Sequence, residues 1–155
     1  MSSVPTVQVV PAGPAHSQGV WDIRYHPAIN ESVAARNKNV VPFEQHDAWF
    51  KKKYCTGELD RCYVLEIDGS TQGYCRFDLN EQGEFVVSLV LHPTAQGRGW
   101  GSMLLREALR LADVQRTLVA CVHLDNGRSM ALFMKNGFVR TGEIDDEVIL
   151  KKFFN

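Results

Sequence analysis

The chain has little cysteine, no excess of charge and no long apolar run, and each shortage removes a class of function. Its four cysteines, Cys55, Cys62, Cys75 and Cys121, are scattered with no paired spacing. Disulfide scaffolds are smaller and denser in cysteine, and zinc sites use close Cys-x-x-Cys or Cys/His pairs. Free, mostly buried thiols in a reducing compartment are expected, with no metal site. A formal net charge of −1 lacks the basic excess of a nucleic-acid or membrane-surface binder. Lys51-Lys52-Lys53 is the one basic run; it continues a helical pattern and reads as a solvated helix end. Nothing approaches the roughly 18 consecutive apolar residues of a membrane span, and the N-terminus lacks the basic and apolar regions of a leader. A cytoplasmic protein with neither nucleic acid nor membrane as partner is expected.

What is there reads as one α/β domain over residues 1–155. At 155 residues, 45% hydrophobic and 23% charged, the chain can bury a core of its own. Residues 6–10 alternate enough for a first strand, ended by Pro11-Ala12-Gly13-Pro14. Residues 16–25 pattern as a helix, stopped ahead of Pro27, and the polar stretch 30–39 reads as a loop. The segment 43–54 places Phe43, His46, Trp49 and Phe50 on one helical face. Three strand-like runs follow, 61–68, 71–79 and 84–92, separated by Asp68-Gly69 and by Asn80-Glu81-Gln82-Gly83 as hairpin turns. Then come a helix over 102–113, a strand over 117–124, a helix over 128–135, and two strands over 138–144 and 148–154. The order β-α-α-β-β-β-α-β-α-β-β asks for a mixed central sheet of about seven strands with helices on both faces.

The most informative segment is Gln96-Gly97-Arg98-Gly99-Trp100-Gly101-Ser102. It lies between an apolar strand and a helix, so a glycine-rich loop runs into a helix N-terminus. Such a terminus presents unpaired N–H groups and the positive end of the helix dipole. Glycine lets the backbone curl close to a phosphate without a Cβ in the way. The helix carries no acid before Glu107, so its positive end is uncompensated. The spacing differs from the dinucleotide fingerprint and from the triphosphate loop, which needs Gly-Lys-Ser/Thr. It reads as a pyrophosphate cradle.

This element order, with its glycine-rich turn after the fourth strand, resembles the GNAT superfamily of N-acetyltransferases over nearly the whole chain. Gln96, Gly99 and Gly101 fill the signature Gln/Arg-x-x-Gly-x-Gly/Ala. Asn126, Ser129, Phe133 and Gly137-Phe138 fill a second signature near the C-terminus. The resemblance implies acetyl-CoA as co-substrate and no metal. Its pyrophosphate would meet the backbone N–H groups of Gly97, Arg98, Gly99, Trp100, Gly101 and Ser102. Its pantetheine arm would pair with the strand edge at Leu89, Val90 and Leu91, which needs a splayed neighbouring strand. The Leu89 N–H would polarise the thioester carbonyl. Asn126 would bond the arm from the other side, next to Ser129 and Phe133, and it can also cap the helix that follows.

Two departures stand out. The usual acid is a tyrosine where this chain has Phe133, and a base is often found where it has Phe85. Glu84 is next door, but successive strand side chains point to opposite faces, so it would act only through a bulge or a water. Trp21 to Pro27 and Phe43-x-x-His46-x-x-Trp49-Phe50 resemble the subgroup acetylating nucleotide-linked amino sugars, of the flagellin-sugar (pseudaminic acid) pathway type. That resemblance implies acceptor contacts for Arg24 and His46. A guanidinium suits a diphosphate, and a histidine can take the amine's proton. A packed core histidine and an arginine paired with a nearby acid are the alternatives. The expected partner is a small-molecule amine. Protein N-termini, a polyamine, an aminoglycoside-like drug and a non-catalytic acyl-CoA-binding module are rival readings, and a homodimer is left open.

Overall fold

A computed structural model describes residues 4–30 and 39–154. The loop expected over 30–39 falls almost wholly outside the described residues. Seven strands form one sheet: β1 (Val7–Pro11), β2 (Arg61–Ile67), β3 (Ser70–Leu79), β4 (Phe85–Leu91), β5 (Leu118–His123), β6 (Val139–Ile144) and β7 (Glu147–Lys152). Their order is β1-β2-β3-β4-β5-β7-β6. The helices are α1 (Ser17–Arg24), α2 (Pro27–Asn30), α3 (Phe43–Phe50), α4 (Trp100–Ala112) and α5 (Gly127–Lys135). The mixed seven-stranded architecture expected from the sequence is borne out.

Local chemistry explains the boundaries. Asp68 and Gly69 both take positive φ, 51° and 82°, the conformation that a two-residue hairpin with right-handed twist demands. Asn80 braces the next turn, its Oδ1 accepting from the N–H groups of Gln82 and Glu84. Pro27 ends α1 as expected but also opens the short α2, because proline fits a first helical turn. The 43–54 helix is α3 continued by a π-helical turn, Lys51–Cys55, closed by a 3.0 Å bond from Thr56 N–H to the Lys51 carbonyl. Two starts differ from expectation. α4 begins at Trp100 instead of 102, since Gly99 in the left-handed region already turns the chain. β4 begins at Phe85, which leaves Glu84 outside the strand.

Alternation along β2 and β3 builds a core on each face of the sheet. Tyr63, Leu65, Cys75 and Phe77 point toward α4 and α5, where Leu104, Leu105, Ala108 and Phe133 are buried with them. Cys62, Val64 and Tyr74 point the other way and pack with Val20 and Ile23 of α1, Phe50 of α3 and Tyr54. Cys62 and Cys75 are buried free thiols, and burial pushes the Cys62 thiol up to about 12. Among the described residues no helix is long and apolar enough to cross a membrane.

Every strand pair is antiparallel except β4 with β5. That parallel pair makes two matches, Phe85 with Leu118 and Val86 with Val119, and then ends. The sheet therefore opens from Val87 onward.

α1 lies so close on β3 that a Cβ at Gly19 would stand 2.5 Å from Thr71 Cβ. Gly19→Ala is expected to cost about 1–3 kcal/mol in urea unfolding, because overpacking outweighs the gain in helix propensity. Thr71→Gly in the same chain should recover most of that loss.

Candidate active site

The opening between β4 and β5 is a cleft of about 800 Å³. Residues 86–91 of β4 line one wall, and Cys121, Val122, His123 and Asn126 line the other. Leu89, Val90 and Leu91 all lie beyond the last β4–β5 match, so among the described residues no strand pairs with this edge of β4. The splayed neighbour expected from the sequence is present.

The glycine-rich loop forms one end of the cleft. Gly97 and Gly99 have φ of 78° and 83°, and the space where a Cβ would stand holds nothing within 4 Å at either. α4 has no acid in its first turn and no side-chain cap, so its leading N–H groups face the opening with the dipole uncompensated. Gly97, Gly99, Gly101 and Ser102 line the cleft; Arg98 is exposed in the loop, and Trp100 packs against the first core. Gln96 fastens the loop to the strand through Nε2, which donates to the Leu91 carbonyl at 3.2 Å. Backbone donors, open space and a bare helix end together fit a pyrophosphate.

On the far wall, Asn126 caps α5, its Oδ1 accepting from Ser129 N–H at 3.1 Å. Asn126, Ser129 and Phe133 all line the cleft. Phe133 also packs edge to face on Phe138, with ring centroids 5.1 Å apart. Its phenyl ring offers no proton.

Where the cleft reaches the α1 side of the sheet, Arg24, Tyr74, Arg76, Ser88, His123 and Glu147 line it. Arg24, at the end of α1, donates through Nε to Tyr25 Oη at 3.2 Å and stacks over Trp49, 5.2 Å from the ring centre. Among the described residues no carboxylate pairs with it. Arg76 and Glu147 are the residues that reading the sequence missed. The period of two along β3 puts Tyr74, Arg76 and Asp78 on one face, a signal that was there to be used. Asp145 and Asp146 are exposed at the turn between β6 and β7, but Glu147 opens β7 and lines the cleft.

Two expected catalytic residues are placed elsewhere. Glu84 lies at the opposite end of β4, about 16 Å of extended chain before Leu89. Its carboxylate takes bonds from Lys151 Nζ at 2.8 Å and Asn80 Nδ2 at 3.3 Å. The Lys151 hydrogen bond holds it below the usual glutamate range, which suits a structural anion more than a base. His46 is 2% exposed in the second core. Its Nε2 donates to the Ser17 carbonyl at 3.1 Å, and Nδ1 is buried with no partner. Phe50 stacks on the ring, and Tyr25, Phe43 and Trp49 surround it. The structure places His46 as a packed, hydrogen-bonded core residue that does not line the cleft. Phe85 is buried in the first core under the Arg61 guanidinium. Among the described residues no group of three or more His, Cys, Asp and Glu side chains is placed to hold a metal ion.

The pattern of the acetyltransferase (GNAT) family matches residues 26–138. The chain belongs to the GNAT acetyltransferase family. Acetyl-CoA is thus its co-substrate and transfer of the acetyl group its reaction class. YwnH of Bacillus subtilis (strain 168), which carries a phosphinothricin acetyltransferase designation, is 30% identical over 128 residues, 76% of each chain. The acetyl-CoA-bound structure of yncA from Salmonella typhimurium has the same fold: TM-score 0.81, 21% identity, 96% of this chain and 94% of that one. So does the ribosomal-protein-alanine N-acetyltransferase of Brucella melitensis: TM-score 0.81, 22% identity, 95% and 99% covered.

Burial holds the His46 pKa below its ordinary value of 6.5, with the Ser17 bond opposing. A lowered folded pKa means that the unfolded chain binds the extra proton first. This contribution to stability is complete above about pH 6.5 and is lost as pH falls from there toward the folded value. Urea midpoints at pH 7.5 and 5.5 should therefore differ more for the wild type than for His46→Gln, which can keep the Ser17 bond. The same variant should hold kcat/KM within about twofold, because the ring does not line the cleft.

Proposed function

We propose that this GNAT protein acetylates a primary amine of a small molecule by direct transfer, with a nucleotide-linked amino sugar as the acceptor class. The observation that carries the reaction is the parting of β4 from β5 above a bare helix N-terminus. Acetyl-CoA brings the thioester: the amine nitrogen bonds its carbonyl carbon, the C–S bond breaks, the nitrogen loses a proton and the thiolate gains one. The chain's own residues prepare this. Residues 97–102 hold the pyrophosphate through backbone N–H groups, and the edge at Leu89, Val90 and Leu91 pairs with the pantetheine arm. The Leu89 N–H polarises the carbonyl as an oxyanion-type donor, and Asn126, Ser129 and Phe133 close the other side.

The amine enters from the α1 side, where Arg24 offers a guanidinium for the diphosphate of a sugar nucleotide. Glu147 is the carboxylate among the residues lining the cleft, and we assign it the removal of the amine's proton in place of Glu84 and His46. His123, its partner across the β5–β7 ladder, lies on the same wall. With phenylalanine at 133, the departing thiolate is left to solvent for its proton. A non-catalytic acyl-CoA-binding module is the second reading, favoured by that phenylalanine.

Thiol release from acetyl-CoA, with a nucleotide-linked amino sugar and a no-amine control, separates them: amine-dependent release supports transfer, and binding without release supports the module. Glu147→Gln should lower kcat about 100-fold or more if it is the base. Glu84→Gln should leave kcat unaltered. Gly99→Val, forced into a left-handed conformation, should raise the KM for acetyl-CoA by about tenfold or more.

A further inference from the structure

We propose that Arg76, with Arg24, is the receptor for an anionic group on the acceptor, so that the acetylated amine belongs to a molecule bearing a carboxylate or a phosphoryl group. This rests on the acetyl-transfer reading and narrows its substrate class. Arg76 is part-buried on the floor of the cleft, and one edge of its guanidinium is fixed. Nη1 donates to Tyr54 Oη at 3.3 Å and lies 3.6 Å from Asp78 Oδ2, while Tyr54 donates to Asp78 Oδ1 at 2.7 Å. Among the described residues, the polar contacts of Arg76 all run through Nη1. Nε, on the other edge, is buried without an acceptor. Orphaned buried donors are rare in native proteins and costly. The Nε–Nη2 edge is also the fork that matches two oxygens of a carboxylate or phosphoryl group.

The charge balance points the same way. Asp78 is shared between Arg76 and Lys53, and Lys53 also pairs with Asp60 at 3.1 Å. These two cations and two anions offset each other. Arg24 then stands as added positive charge on this side, and both guanidinium groups act on Tyr74 between them. Arg128 and Lys135 also line the cleft, against Glu147. Such a floor repels the multiple ammonium groups of a polyamine and attracts an anion. It also disfavours the ammonium form of the amine at the reacting end, which helps a site with one carboxylate base.

The test compares matched acceptors by thiol release: glucosamine 6-phosphate against glucosamine, and β-alanine against β-alaninamide. The wild type should favour the charged member of at least one pair by about tenfold in kcat/KM, and the preferred pair tells phosphoryl from carboxylate. Arg76→Gln should erase most of that preference and Arg76→Lys should restore part of it, since the charge returns without the fork. Should Arg76→Gln fold poorly with Asp78 unpaired, Arg76→Gln with Asp78→Asn keeps the Tyr54 contact and serves instead. Equal use of both members, or a preference that survives the loss of Arg76, overturns the proposal. Quenching of Trp49 fluorescence by glucose 6-phosphate or propionate reads the same site without chemistry. Arg76-dependent quenching with no thiol release from any amine would uphold the anion site while sinking the transfer reading.

Discussion

β4 and β5 share two residue pairs and then separate, and the layout of the site follows from that. A strand edge left open inside a protein exposes backbone donors and acceptors that must find partners elsewhere. Beyond the last match, β4 is packed against helices. Leu89 and Leu91 of β4 and Leu132 of α5 meet around Gly101 at the start of α4, each within 3.9 Å of where its Cβ would be. These leucines tie the far half of β4 to the start of α4 and to α5, on the stretch of strand that lies beyond the last β4–β5 match.

The two cores divide the work. The core under α4 and α5 fixes the cradle, the strand edge and the Asn126 cap. The core under α1 and α3 fixes Arg24, Tyr74 and Arg76. Because β3 contributes Cys75 and Phe77 to one and Tyr74 to the other, the two halves of the cleft are registered to each other through a single strand. Gly73, on that strand, allows the close approach: a Cβ there would stand 2.7 Å from Leu91 Cδ2 and 3.1 Å from the Val90 carbonyl oxygen. His46 serves the second core by tying α3 to α1 through the Ser17 carbonyl, which is an anchoring role for a polar residue that burial would otherwise penalise.

The fold and the cradle could be read from the sequence because both rest on backbone chemistry with short-range signatures. Glycine at 97 and 99 is needed for positive φ, Asp68-Gly69 for a tight hairpin, and the leucine spacing of α4 for a buried stripe. Each requirement leaves a local mark. The acceptor side left none of that kind. His46 sits in a motif with Trp49 and Phe50, yet tertiary packing, invisible in the spacing, decides that it is enclosed. Glu84 and Glu147 both flank strands at chain turns. Which of them faces the cleft depends on which end of its strand lies at the opening, and that is fixed only when β4 and β7 take their places on either side of β5.

This asymmetry has a chemical reason. A pyrophosphate and an extended amide arm present the same groups in every acetyl-CoA, so N–H groups of a loop and a strand edge suffice and their geometry constrains the sequence. An acceptor is recognised by side chains that come from α1, β3, β5 and β7, far apart in the chain. Arg24, Arg76 and Glu147 can each be exchanged without disturbing a turn or a helix start. On the proposed reading, their meeting at one end of the cleft describes the molecule to be acetylated: an anion held on the floor, an amine held toward Glu147, and the reacting carbon supplied through the gap that β4 and β5 leave between them.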